Sequence, residues 1–291
     1  MKWDYRNYPY GLFGNQRFDI VFPKKQAAHA IVFIHGGAYF TGDKSLYPKF
    51  LLDYINENIL ATIDYRLIQE DNNTELKDIL SDITDALNKI TELSKKREIA
   101  IKDFILAGHS AGGHIALLYS YKFSEQAKIA ACVSLCGPTD FTDDSGWSSM
   151  PTWGNTMEER LSFLSNMGAR LTGHDINITQ SLWTRQKDYS LFEKHIKDIS
   201  PVMYVNKLNK LPPTLFVHAM NDDQVPYSNA VRLKCALDNT PVPHQLITAT
   251  GSSDNHILGG DVFDETNPAL YENLPWVIET KKWMETYLYE I

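Results

Sequence analysis

The chain has 291 residues, 43% of them hydrophobic and 22% charged, with a formal net charge of -8. That composition supports a full core, as one large domain or two small ones, and excludes a disordered chain. An acidic balance disfavours phosphate backbones and anionic membranes, so nucleic acid is not an expected partner.

The N-terminal stretch Met1-Lys2-Trp3-Asp4-Tyr5 has no apolar signal core, and no later stretch stays apolar over the roughly 20 residues of a membrane span. A cytoplasmic location is the expectation. The three cysteines, Cys132, Cys136 and Cys235, form no C-x-x-C pair, so their spacing carries neither a disulfide framework nor a zinc ligand set. Cys132 and Cys136 lie on or beside an apolar run and read as small buried hydrophobes.

In chain order, continuous apolar runs occupy Ala30–Ile34, Ile59–Ile63, Phe104–Ala107, Ile129–Leu135, Thr214–Val217 and Gln245–Ala249. Continuous rather than alternating runs predict strands covered on both faces. Between the second and third runs, Leu76, Ile79, Leu80, Ile83, Ala86, Leu87, Ile90 and Leu93 repeat at i, i+3, i+4, i+7, which predicts an amphipathic helix. Lys95, Lys96 and Arg97 place positive charge at its C-terminal dipole. Further helices are predicted over Leu46–Glu57, Ala111–Tyr121, Ser228–Asp238 and Trp276–Tyr289. Strands alternating with helices predict an α/β fold with a mostly parallel central sheet and ligands at the carboxyl ends of its strands. The segment 141–199 breaks the alternation. It carries Trp147, Trp153 and Trp183, half of the six tryptophans. A long connection of this kind predicts a cap insertion over the strand ends.

Phe104–Ala107 runs straight into Gly108-His109-Ser110-Ala111-Gly112, and the helix follows at once. A sharp strand-to-helix turn strains its central residue and needs small neighbours two positions away, which makes Ser110 the candidate nucleophile. At the end of the first strong strand, His35-Gly36-Gly37-Ala38-Tyr39 offers backbone amides without bulky side chains. Gly37 and Ala38, with Ala111, are the candidate oxyanion-hole donors. Each such donor is worth about 3–4 kcal/mol of barrier. A phosphate loop would need G-x-x-x-x-G-K-S/T, which is absent. His35 reads as a structural hydrogen-bonding residue.

H-G-G-A-Y, then Asp64-Tyr65-Arg66-Leu67, then G-H-S-A-G-G, in this order and spacing, resemble the α/β-hydrolase superfamily. Within it the chain is similar to the carboxylesterase branch of hormone-sensitive-lipase-like enzymes, bacterial feruloyl/acetyl esterases and kynurenine formamidases. The resemblance covers residue 20 to the C-terminus and implies one α/β-hydrolase domain over 1–291. It also implies an acid after the penultimate strand in a D-x-x-V-P context, where Asp222 fits and Asp223 is one position off. The base is implied in the loop after the last strand, where His256 lies; His244 sits at the wrong end of that strand. The order Ser110, Asp222, His256 is that of the fold. Asp64 and Asp140 are structural in relatives. This chain departs from the pattern in having Ala38 for a third glycine and Ile257 after the histidine.

The expected function is a serine hydrolase cleaving a carboxylic ester of a small acyl or aryl substrate, without metal or organic cofactor. Tyr39, Trp147, Trp153 and Trp183 are the candidate pocket wall. An arylformamidase and a sugar-ester esterase remain open, as does a homodimer formed through the apolar cap. A non-catalytic binding protein on this scaffold would be expected to have lost a member of the triad.

Overall fold

The computed structural model describes residues 3–69, 72–142, 156–174, 193–205, 210–251, 255–258, 263 and 269–289. Its centre is an eight-stranded sheet. The strands are β1 (Tyr5–Pro9), β2 (Arg17–Val21), β3 (Ala27–Ile34), β4 (Ile59–Ile63), β5 (Ala100–His109), β6 (Ile129–Leu135), β7 (Thr214–Ala219) and β8 (His244–Ala249). They lie in the order β1-β2-β4-β3-β5-β6-β7-β8. From β4 to β8 every pairing is parallel; β2 alone runs against its two neighbours.

The predicted runs for β4 and β6 match in both bounds, and β3, β5, β7 and β8 extend theirs. The two strands at the antiparallel end of the sheet, β1 and β2, carry no continuous apolar run and escape that criterion. β2 instead alternates, with Phe18 and Ile20 buried between half-buried Arg17 and Asp19.

Alternation inside β3 feeds two cores. Ala30, Val32 and Ile34 pack on one face with α1 (Leu76–Lys96) and α2 (Ala111–Ala127). Ile31 and Phe33 pack on the other with Phe50, Leu51 and Tyr54. The predicted face of α1 is the buried one, and a capping box between Glu75 and Asp78 starts the helix. In α2 every residue from Ala111 to Tyr121 is buried, so this helix is covered on all sides.

Over Leu46–Glu57 the structure has a 3₁₀ helix at Lys49–Tyr54 in place of the longer predicted helix. Pro48 is the reason, since it lacks an N–H and disfavours helix in the residue before it. Within 141–199, the described elements are α3 (Met157–Thr172) and α4 (Glu193–Ile199). A second 3₁₀ turn (Pro201–Tyr204) follows. Met167, Leu171, Ile196 and Ile199 join the core cluster of α1 and α2. The remaining helices among the described residues are α5 (Ser228–Leu237), α6 (Ala269–Glu272) and α7 (Pro275–Tyr289). Trp276, Val277 and Met284 of α7 close the second core. No helix among the described residues is long and apolar enough to cross a membrane.

Candidate active site

The parallel strands bring five chain segments together at their carboxyl ends. Ser110 caps β5 with φ 52° and ψ -122°, a strained conformation for a residue with a side chain. The flanking glycines are required by contact. A Cβ on Gly108 would stand 2.2 Å from the Gly112 carbonyl oxygen, and one on Gly112 would stand 2.1 Å from that of Ile34. The Ser110 N–H donates to Leu135 O at 2.8 Å, which ties the turn to the end of β6.

His256, in the loop after β8, faces this serine. Its Nδ1–H donates to Asp222 Oδ2 at 2.9 Å and Oδ1 at 3.0 Å. Its Nε2 then carries the lone pair and accepts from the Ser110 hydroxyl at 2.7 Å. The Asp222 carboxylate also accepts from the backbone N–H groups of Gln224 (2.9 Å) and Val225 (2.8 Å). Asp223 is exposed.

The sequence gives no sign of His218, on β7, which is buried and approaches the same carboxylate. Its Nε2–H donates to Val225 O at 2.8 Å and lies 3.3 Å from Asp222 Oδ2. Burial alone would raise the Asp222 carboxyl, but the hydrogen bonds from His218 and His256 outweigh it and hold the group well below the usual range. His109, read from the sequence only as a neighbour of the nucleophile, donates from Nε2 to the His256 carbonyl at 2.8 Å. Burial, reinforced by nearby His256, pushes it down to about 4.

Beside Ser110, the 37–39 loop turns left-handed for three residues, with φ of 109° at Gly37, 50° at Ala38 and 71° at Tyr39. Phe40 N and Thr41 N both donate to Gly37 O at 3.0 Å and hold the turn. The backbone hydrogen bonds among the described residues leave the N–H groups of Gly37, Ala38 and Ala111 unused.

Tyr39, expected on the pocket wall, instead packs into the core at 2% exposure. Its hydroxyl donates to His114 Nδ1 at 2.8 Å, and His114 Nε2–H donates to Ile199 O at 2.7 Å. Its polar end is therefore committed to a buried partner. Trp147, Trp153 and Trp183 lie outside the described residues.

His35 donates to Gly36 O at 2.6 Å and stacks on Tyr65. Asp64 holds Lys44 through both carboxylate oxygens, and Asp140 holds Thr142 and Arg232. His244 sits at the start of β8, at the opposite end from the serine.

Among solved structures, a truncated carbohydrate esterase from gut microbiota shares 20% identity with the chain at a TM-score of 0.67, covering 96% of each chain. Esterase B from Lactobacillus rhamnosis shares 19% at 0.64, covering 96% of this chain and 86% of its own. Thermogutta terrifontis esterase 2, phosphonylated by sarin, shares 16% at 0.64, covering 94% and 92%. These likenesses show the α/β-hydrolase fold. No curated protein matches the sequence. The BD-FAE family model matches residues 18–237, most of the chain, and the protein belongs to that family of α/β-hydrolase esterases.

Proposed function

We propose that the protein hydrolyses small carboxylic esters through a Ser110-His256-Asp222 triad and an acyl-enzyme. The observation that carries this reading is the unbroken hydrogen-bond line from Ser110 Oγ through both ring nitrogens of His256 to Asp222. Ser110 Oγ attacks the acyl carbonyl as His256 Nε2 takes its proton. Asp222 holds the ring in the tautomer that permits this and stabilises the imidazolium. The negative charge on the carbonyl oxygen is met by the N–H groups of Gly37, Ala38 and Ala111, already held in place before the reaction. His256 returns the proton to the leaving alcohol, and water repeats the sequence on the acyl-enzyme. A non-catalytic role would leave this aligned, strained serine without a purpose.

Segment 141–199 is proposed as a cap, joined to the body where Phe141 N donates to Ser200 Oγ and His114 donates to Ile199 O. A sugar as the leaving group is favoured by the carbohydrate esterase whose structure covers the whole fold. The test compares Ser110→Ala with the wild type on p-nitrophenyl acetate, acetylated sugars and N-formylkynurenine. Loss of about 10³-fold or more in kcat supports the triad, and a wild-type rate overturns it. Preference for N-formylkynurenine over every ester would move the assignment to an arylformamidase.

A further inference from the structure

Cys136 stands directly after β6, fully buried, where its N–H donates to Val217 O of β7 at 2.8 Å. Its Sγ, a carboxylate oxygen of Asp222 and a ring nitrogen of His256 all lie within 4.8 Å of one another. The proposed mechanism gives this thiol no task. The three side chains come from the ends of three successive strands, β6, β7 and β8, so no spacing in the sequence announces them together.

Thiolate, imidazole and carboxylate are the donor set of zinc and of softer thiophilic cations, whereas magnesium and calcium prefer oxygen alone. We propose that Cys136, His256 and Asp222 form an inhibitory site for a thiophilic divalent cation of the zinc or cadmium class. Bond lengths to zinc of about 2.0–2.3 Å place two donors on a tetrahedral ion roughly 3.3–3.6 Å apart. The thiol therefore has to close by at most about 1.3 Å, and the 2.9 Å Nδ1–Oδ2 pair has to open slightly.

The charges balance. The Cys136 thiol releases its proton to solvent, and thiolate and carboxylate together neutralise the dication, so no net charge is left buried. Nδ1 is the ring nitrogen on the Asp222 side. When the cation takes it, the proton there moves by way of solvent to Nε2, and the imidazole stays neutral. Nε2–H can no longer accept from Ser110, so the base is lost without any change in redox state. His218 stays outside the ligand set, because its Nε2–H is committed to Val225 O.

Inhibition rests on the triad reading; binding does not. Two readouts keep them apart, both in a Cys235→Ser background that removes the exposed thiol. The first titrates cadmium into Ser110→Ala protein and follows the ultraviolet sulfur-to-cadmium absorption. One equivalent is expected to bind, and Cys136→Ala is expected to weaken it by about tenfold or more. The second measures ester hydrolysis against cadmium and zinc, each protein referred to its own metal-free rate. Protein retaining Cys136 should lose most of its activity and recover it with EDTA; Cys136→Ala should resist. Cys136→Ser, closer in size, serves if the alanine variant folds poorly, and should lose more cadmium affinity than zinc affinity. Equal binding or equal inhibition with and without Cys136 overturns the site. Cysteine-dependent binding that leaves hydrolysis untouched keeps the site and overturns the triad.

Discussion

The Asp222 carboxylate collects its hydrogen bonds from both sides, from His256 and the Gln224 and Val225 N–H groups, and it faces buried His218 as well. Each donor favours the ionised form, so the group proposed to orient His256 is fixed in charge and position. Asp222→Asn, which can present a donor where the imidazole needs an acceptor, should lower kcat on the order of 10⁴-fold with little change in KM. Steady-state kinetics would expose an error here, since a loss confined to KM would mean that Asp222 serves binding instead. The case of His218 is subtler, because it touches no reacting atom. On the proposed triad it is a positioning residue that would act through Asp222 and Val225. His218→Leu keeps the bulk but strands a buried carbonyl, and should cost about 1–3 kcal/mol of stability as well as kcat. His218→Gln can still donate to Val225 O and should recover most of both. If the leucine and glutamine variants behave alike, packing and not the hydrogen bond is what matters.

At the scale of elements, the elbow between β5 and α2 leans on the end of β3, which leads into the 37–39 loop. Gly112 is the point of contact, since any side chain there meets the carbonyl oxygens of Ile34 and His35, which lie within 2.4 Å of its Cβ position. Gly112→Ala pushes backbone against backbone, with no flexible side chain to give way, and should cost roughly 3 kcal/mol or more. A melting temperature equal to the wild type's would show that β3 can move aside. Tyr39 braces the same loop from below through His114. Tyr39→Phe leaves His114 Nδ1 without its donor and should lower kcat several-fold while leaving KM near its starting value. These turns also mark how far the sequence can be read. Runs such as Ile59–Ile63 and Ile129–Leu135 match β4 and β6 because strands buried on both faces leave a continuous apolar signature. At the antiparallel end of the sheet, β2 leaves only a short alternation and β1 has no buried residue to leave one. That Ser110, Asp222 and His256 meet was legible from the serine's strand-to-helix turn and from what the family resemblance implies for the other two. His218 and Cys136 were not, because their proximity to Asp222 arises only when β6, β7 and β8 pair.

For the molecule as a whole, the histidines beneath the site couple its stability to pH. His109 and His114 are buried, and burial is the main reason both are pushed down to about 4. For His109 the neighbouring His256 adds to the shift; for His114 the Ile199 carbonyl offsets part of it. Unfolded, each would titrate near 6.5. Between those values the unfolded chain binds protons that the folded chain refuses, so the stability gained by burying neutral rings is intact above 6.5 and is lost as pH falls toward 4. From pH 7 to pH 5 the loss should reach about 2 kcal/mol for each ring. Asp222, held low in the folded state, adds its own loss when pH falls further, through the usual carboxylate range. Urea unfolding followed at intervals from pH 7.5 to 4.5 measures the slope. His114→Gln isolates one contribution, because the amide can accept from Tyr39 and donate to Ile199 O without titrating. Its slope should be shallower by about one proton over this window. An unchanged slope would mean that His114 gains its proton while folded, and that the link from the 37–39 loop through α2 to Ile199 survives with a charged imidazolium at its centre.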